Sequence, residues 1–222
     1  MYKLVQSHNK KVVEMLAGEN IDWQFIPPHS PHFGGLWEAV VKLVKQHLRR
    51  VVGDSVLNFE EMCTLLAQIE ALLNSRPLCA SSDSDLDPLT PSRFLIGRPY
   101  TAIPEPSFLE TPINRLGRWD LLQNMMQGFW QRWQPDYLTS LQQRPKWREA
   151  KRDFEVGDLV ILKEPNLPPS QWLLERVTEV HPGEDGHVRV VTLRTKRGTF
   201  MRPVTKLALL PCPEIPSAVA AC

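Results

Sequence analysis

One acidic residue at the head of a basic ridge is the part of this sequence best placed to act on phosphate. In Leu36-Trp-Glu-Ala-Val-Val-Lys-Leu-Val-Lys-Gln-His-Leu-Arg-Arg-Val-Val52, the residues Glu38, Lys42, Lys45 and Arg49 follow one another at i, i+4, i+7 and i+11, which is one face of an α-helix. Lysine and arginine at that spacing suit phosphate oxygens along a nucleic-acid backbone. A carboxylate can hold a divalent metal, but Mg²⁺ needs several carboxylate, phosphate and water oxygens together, so one glutamate makes no site by itself. The same residues also have an ordinary reading as a solvated face. Glu38 favours the helix dipole from the first turn, and its i,i+4 pairing with Lys42 contributes a few tenths of a kcal/mol.

The elements that position this ridge follow from the flanking sequence. Ile26-Pro-Pro-His-Ser-Pro-His-Phe-Gly-Gly-Leu-Trp-Glu38 has three prolines and two glycines after Ile26, which excludes a helix or a central strand and predicts a stiff loop ending at Gly34-Gly35. The glycines allow backbone to approach something closely. After them Leu36, Val40, Leu43, Val44, Leu48 and Val51 form one apolar stripe of the ridge helix. Upstream, residues 1–20 read as a helix and Asp22-Trp-Gln-Phe-Ile26 as a short strand, which needs partner strands that nothing nearby supplies. His29 and His32 could suggest zinc, but no cysteine stands near them, and contact with DNA or neighbouring side chains fits them better.

Asn58-Phe-Glu-Glu61 is a capping box opening a second helix, with Met62, Leu65, Leu66, Ile69, Leu72 and Leu73 as its buried stripe and Pro77 as its stop. Ser81-Ser-Asp-Ser-Asp-Leu-Asp-Pro88 is a polar turn that lacks the glycine and closing glutamate of a calcium loop. Proline-rich, aperiodic 99–112 reads as a linker. Helical spacing returns over Asn114–Trp133, with Trp119, Leu122, Met126, Phe129, Trp130 and Trp133 on one side, and a shorter helix follows the break at Pro135. This arm is expected to pack between domains or subunits. From Phe154 the period falls to two. Strands are expected over Phe154–Lys163, Trp172–Val180, His187–Thr195 and Thr199–Arg202, with Pro203–Leu210 closing a small barrel. Arg189, Arg194, Lys196, Arg197 and Arg202 give that module a second basic patch.

Taken together, Pro27–Glu38 with its Lys/Arg ridge, Leu73-Asn-Ser-Arg-Pro-Leu78 and Leu89-Thr-Pro-Ser-Arg-Phe-Leu-Ile-Gly-Arg98 resemble the end of a retroelement integrase core. The closest resemblance is to integrases of BEL/Pao-type LTR retrotransposons, over about residues 20 to 210. It continues through Gly157-Asp-Leu-Val, Trp172 with Arg176-Val, Pro182-Gly-Glu-Asp-Gly186, Arg202-Pro and Lys206-Leu, which match the SH3-like C-terminal domain of that family. The resemblance implies an α+β chain in four parts: 1–98, the mainly helical C-terminal half of an RNase H-like core; 99–149, a linker and helical arm; 150–211, an SH3-like barrel; and 212–222, a disordered tail. It further implies that Glu38 is the last carboxylate of an Asp, Asp, Glu triad that holds Mg²⁺ or Mn²⁺ for polynucleotidyl transfer. Asp22, Asp54, Glu60 and Glu61 do not stand in the sequence context of the family's two aspartates, so the resemblance implies a fragment or domesticated relic, inactive alone and binding DNA. An alternative is a non-catalytic scaffold whose barrel binds protein or chromatin, which would need converging aromatics; the barrel offers Phe154, Trp172 and Phe200, expected to be mostly core, which favours DNA.

Composition agrees with these expectations and narrows them. The 222 residues are 42% hydrophobic, enough for a real core, and no apolar run is long enough to span a bilayer. The net charge of +1 means that an affinity for DNA must rest on where the cations sit. Cys63, Cys79, Cys212 and Cys222 lack metal-binding spacing and read as reduced thiols of an intracellular, nuclear or cytoplasmic, protein. The expected partners are DNA and further copies or other integrase chains, with neither a membrane nor a small-molecule substrate.

Overall fold

Asn58-Phe-Glu-Glu61 folds as its spacing predicts. The Asn58 side chain accepts from the Glu61 backbone N–H at 2.8 Å, and the Glu61 carboxylate accepts from the Asn58 N–H at 2.9 Å. In the computed structural model, which describes residues 15, 31–80, 86–100, 105–142, 152–195 and 198–211, this box opens helix α2, Phe59–Asn74. The expected strand Asp22–Ile26, nearly all of the expected helix over 1–20, His29, Lys196, Arg197 and the tail from 212 lie outside the described residues. The chain divides into two compact units, Met1–Gln46 and His47–Cys222. Helix α1, Gly35–Val52, follows a 3-10 turn at Pro31–Gly34 and runs through that division.

One edge of α2 enters the core of the second unit. Leu65, Ile69 and Leu72 are buried as the stripe requires, whereas Leu66 is exposed and Met62 and Leu73 are half-buried, so the buried edge is narrower than the sequence suggests. After Pro77 the chain forms a short antiparallel pair, β1 Cys79–Ala80 with β2 Pro88–Leu89, and a brief helix α3, Pro91–Ile96, closed by Gly97 in the left-handed conformation.

Arg118–Leu141 is one continuous helix, α4, and not two pieces separated at Pro135. A proline inside a helix forfeits a backbone bond and costs about 3 kcal/mol. Here Trp133 and Gln134 before it and Leu138 after it are all buried, and each large apolar side chain contributes about 1.5–3 kcal/mol. Packing on both sides therefore carries the helix through, with Pro135 itself exposed. Trp130 and Trp133 meet Trp172 edge-on at ring-centroid distances of 4.9 and 5.9 Å, and Tyr137 stacks on Trp133 at 5.5 Å. Hydrogen bonds fasten this cluster outward. Trp172 Nε1 donates to Ser75 Oγ at the end of α2, and the Tyr137 hydroxyl donates to the Pro77 carbonyl. Burial pushes the Tyr137 phenol up to about 12.

The last module is a five-stranded antiparallel sheet of β3 Leu159–Leu162, β4 Leu174–Pro182, β5 Val188–Thr195, β6 Gly198–Pro203 and β7 Leu207–Leu209, in the order β6-β5-β4-β3-β7. Its continuous apolar run Leu159-Val-Ile-Leu162 is explained by burial on both faces. Val160 and Leu162 join Val177, Val191, Leu193 and Leu207 on one side. Leu159 and Ile161 meet Leu138 of α4, with Ala208 and Leu210, on the other. The sheet does not close into a barrel: β6 and β7 are its two edges and do not pair with each other. The physical difference from the expected barrel is that α4 covers one face of the sheet. The chain is thus α+β, with the arm and the sheet sharing a core.

Glu175 on β4 is an unusual occupant of this core. It is buried, one carboxylate oxygen has no hydrogen-bond partner, and burial raises its pKa, with Arg202 opposing and Glu164 adding to the rise. A carboxyl whose folded pKa is raised destabilises the fold once pH climbs above the ordinary carboxyl range, where it must ionise. Glu175→Gln should therefore stabilise the protein by about 1 kcal/mol at neutral pH, and the gain should vanish as pH falls into the carboxyl range. Paired denaturation curves at acidic and neutral pH read this directly. A pH-independent difference would refute the electrostatic origin.

Candidate nucleic-acid interface

The ridge of α1 lies on the surface, as its spacing requires. Glu38, Lys42, Lys45 and Arg49 are all exposed on one helix face. The glycine that opens it has a local task. A Cβ on Gly34 would stand 2.9 Å from the Glu38 carboxylate and 3.0 Å from the Trp37 indole nitrogen, so the close approach at Gly34 is to side chains of the helix's own first turn, whereas nothing lies within 4 Å of a Cβ on Gly35. Trp37, at 57% exposure, and Val40 and Val41 also face water, although the apolar stripe expected Val40 inside. Leu43, Val44, Leu48 and Val51 are half-buried.

His47 was not singled out by its chemistry, yet it is only 2% exposed. Its ring meets Phe129 of α4 edge-on at 5.7 Å, and its Nε2 lies 3.1 Å from the Asp136 carboxylate, at an angle too bent for a hydrogen bond. The available signal was positional: 44, 47, 48 and 51 fall together on a helix, so His47 occupies the apolar stripe. It fixes the C-terminal end of α1 on α4.

The second basic patch does not converge. Arg189 is held by Asp185 across the β4–β5 turn through bonds of 2.9 and 2.5 Å, which keep the Asp185 carboxyl below the usual carboxylate range. Arg194 pairs across from Thr199 and Arg202 from Val191, so alternation puts these two arginines on opposite faces. Arg202 lies over the Phe200 ring at 5.6 Å. Lys196 and Arg197 lie outside the described residues.

Phe154, Trp172 and Phe200 do not converge into an aromatic cage. Phe154 packs on one face of the sheet, Trp172 joins the α4 cluster against the other, and Phe200 is exposed on the β6 edge. Nor do the described residues assemble a two-metal centre. Glu38 is exposed at the start of α1, and among the described residues no three His, Cys, Asp or Glu side chains gather to hold an ion. Glu61, another acid considered, is already committed to its capping box and to Arg118 of α4, whose guanidinium holds the Glu61 carboxyl below its ordinary range. Among the described residues no helix is long and apolar enough to cross a membrane.

Residues 117–210 match DUF5641, a family of unknown function. No curated protein matches the chain. The matched span begins at the N-cap of α4 and ends at Leu210, which is buried against Leu159 and Ile161 with Leu138 of α4. It therefore takes in the arm and the sheet as one packed body.

Proposed function

We propose that this chain is the distal part, or a domesticated relic, of a BEL/Pao-type retrotransposon integrase and that it binds DNA through α1. In this reading α1 and α2 belong to an RNase H-like core and the sheet is an SH3-like module. The supporting observation is the exposed face of α1 on which Glu38 leads Lys42, Lys45 and Arg49. Trp37, Val40 and Val41, turned to water on the same helix, are what a core helix shows when the sheet it covers is contributed by other sequence.

The cations act as backbone partners. Ammonium and guanidinium groups on successive turns neutralise phosphates and release condensed counterions, and none is placed among hydrogen-bonding neighbours that would read a base edge. Glu38 takes the position of the family's last metal-binding carboxylate, with Mg²⁺ or Mn²⁺ as the ion of the complete enzyme. The residues of this chain do not complete that site, and the chain alone acts as a DNA-binding body inside the cell, alongside further copies or other integrase chains.

The test is sequence discrimination. Fluorescence anisotropy with two duplexes of unrelated sequence should give dissociation constants within about threefold of each other, since phosphate contacts carry no sequence information. A preference of about a hundredfold for one duplex, or no binding at low salt, would contradict this assignment.

A further inference from the structure

The N-terminal half of α4 borders a cavity of about 190 Å³ whose walls come from four parts of the second unit. Helix α2 supplies Ala71, the proline-rich stretch Tyr100 and Glu105, α4 Trp119, and the β3–β4 loop Pro169 and Ser170. All six are open to solvent: Glu105 and Trp119 are exposed and the other four half-buried. Glu105 is the only charged residue in the described lining, and it forms no ion pair with a described residue.

Hydrogen bonds hold two of these walls in place. The Tyr100 N–H donates to Ser92 Oγ at 3.2 Å, and Ser92 Oγ lies 2.8 Å from Thr90 Oγ1 in a buried pair. Beside Glu105, the Pro106 carbonyl accepts from Gln127 Nε2 at 2.8 Å. Ser170 has a φ of 61°, in the left-handed region. That conformation is uncommon for a residue with a side chain and concentrates at ligand-holding sites.

One carboxylate, two aromatic side chains and no cation select a positively charged occupant. Aromatic rings attract cations through their negative faces, indole most strongly, and Glu105 repels anions, phosphate included. A metal ion needs several carboxylate or histidine ligands, and no such group gathers among the described residues. The volume is below the roughly 300–1,000 Å³ of sites for drug-sized ligands, so the cavity takes a head group. A primary ammonium brings three N–H donors, each of which needs an acceptor once out of water. A trimethylammonium group brings none, and its methyls suit Ala71, Pro169 and the ring surfaces. We propose that this cavity binds a trimethylammonium head group, held by Trp119 and Tyr100 with Glu105 as its counter-charge. The site is separate from the α1 ridge and does not depend on the integrase reading.

Choline serves as the probe, titrated into the full chain and followed in ¹⁵N–¹H spectra. The Trp119 indole N–H signal, identified by its loss in Trp119→Phe, should shift saturably, with a dissociation constant in the millimolar range expected of so small a fragment. The neutral isostere of choline, with tert-butyl in place of trimethylammonium, should bind at least about fivefold more weakly. Trp119→Ala, at an exposed position that leaves the core intact, should weaken choline binding about tenfold, and Glu105→Gln about threefold to fivefold. A blocked trimethyllysine peptide that binds more tightly than choline would assign the head group to a partner protein, and equal affinity would assign it to a soluble amine. No saturable shift, equal binding of the neutral isostere, unchanged affinity in Trp119→Ala, or shifts confined to signals away from Tyr100, Glu105 and Trp119 would each overturn the proposal.

Discussion

Replacing Trp130 by alanine should cost about 3–5 kcal/mol, as expected for removal of a large buried aromatic side chain. Trp130 is 1% exposed and is the largest of the fully buried side chains among the described residues. Its removal opens a cavity between Trp133 and Trp172, and it leaves the Leu167 carbonyl without its 2.9 Å donor. Trp172 then loses an edge-on neighbour while still bonded to Ser75, so the damage reaches the α2 end and the sheet together. Trp119→Ala is the matched control: Trp119 is on the same helix but 51% exposed, and its loss should cost under about 1 kcal/mol. Urea unfolding followed by circular dichroism reads both. Similar losses at the two sites would mean that the four-aromatic cluster does not join the arm to the sheet.

The second large effect is catalytic and rests on the integrase reading. The 222-residue chain should give no strand-transfer product with Mg²⁺ or Mn²⁺, because Glu38 is the only carboxylate that stands in the family's sequence context. Charge stabilisation by a two-metal centre is worth several kcal/mol, and each 1.4 kcal/mol is about tenfold in rate, so an incomplete ligand set removes orders of magnitude. When a segment bearing the family's two aspartates is supplied, product should appear, and Glu38→Gln should abolish it without changing DNA affinity more than severalfold. Strand transfer by the chain alone, or full activity of Glu38→Gln in the completed protein, would remove Glu38 from the role assigned to it.

Local signals in this sequence were legible where one short-range rule decides the outcome. The capping box at Asn58, the extended conformation of the last strands and the apolar run of β3 all fold as their residue types dictate. The misses are tertiary. Pro135 breaks a helix when local propensity governs, but Trp133 and Leu138 are buried on either side of it and the helix runs on. Barrel closure depends on what covers the sheet, and Leu138 of a helix read as a separate arm is what packs there. Within the proline-rich stretch 99–112, the side chains of Gln127 and Asn124 bond to the backbone of Pro106 and Phe108, contacts that no local pattern announces. In the candidate site, the α1 ridge was visible because exposure follows from helical period. The pairing of Arg189 with Asp185, four residues back across a turn, carries no helical-spacing signal in the sequence. His47 needed its place in the stripe to outweigh its polarity.

The salt dependence of DNA binding tests the central claim most directly. Each phosphate contact contributes a slope of about −0.9 to the logarithm of the association constant against the logarithm of salt concentration. If Lys42, Lys45 and Arg49 engage the backbone, the wild-type slope should be at least about −2.7, and Lys42→Ala/Lys45→Ala should reduce it by about 1.8 while weakening binding to every duplex alike. An unchanged slope and affinity in that double variant, with its fold intact, would contradict the assignment of α1 as the DNA surface.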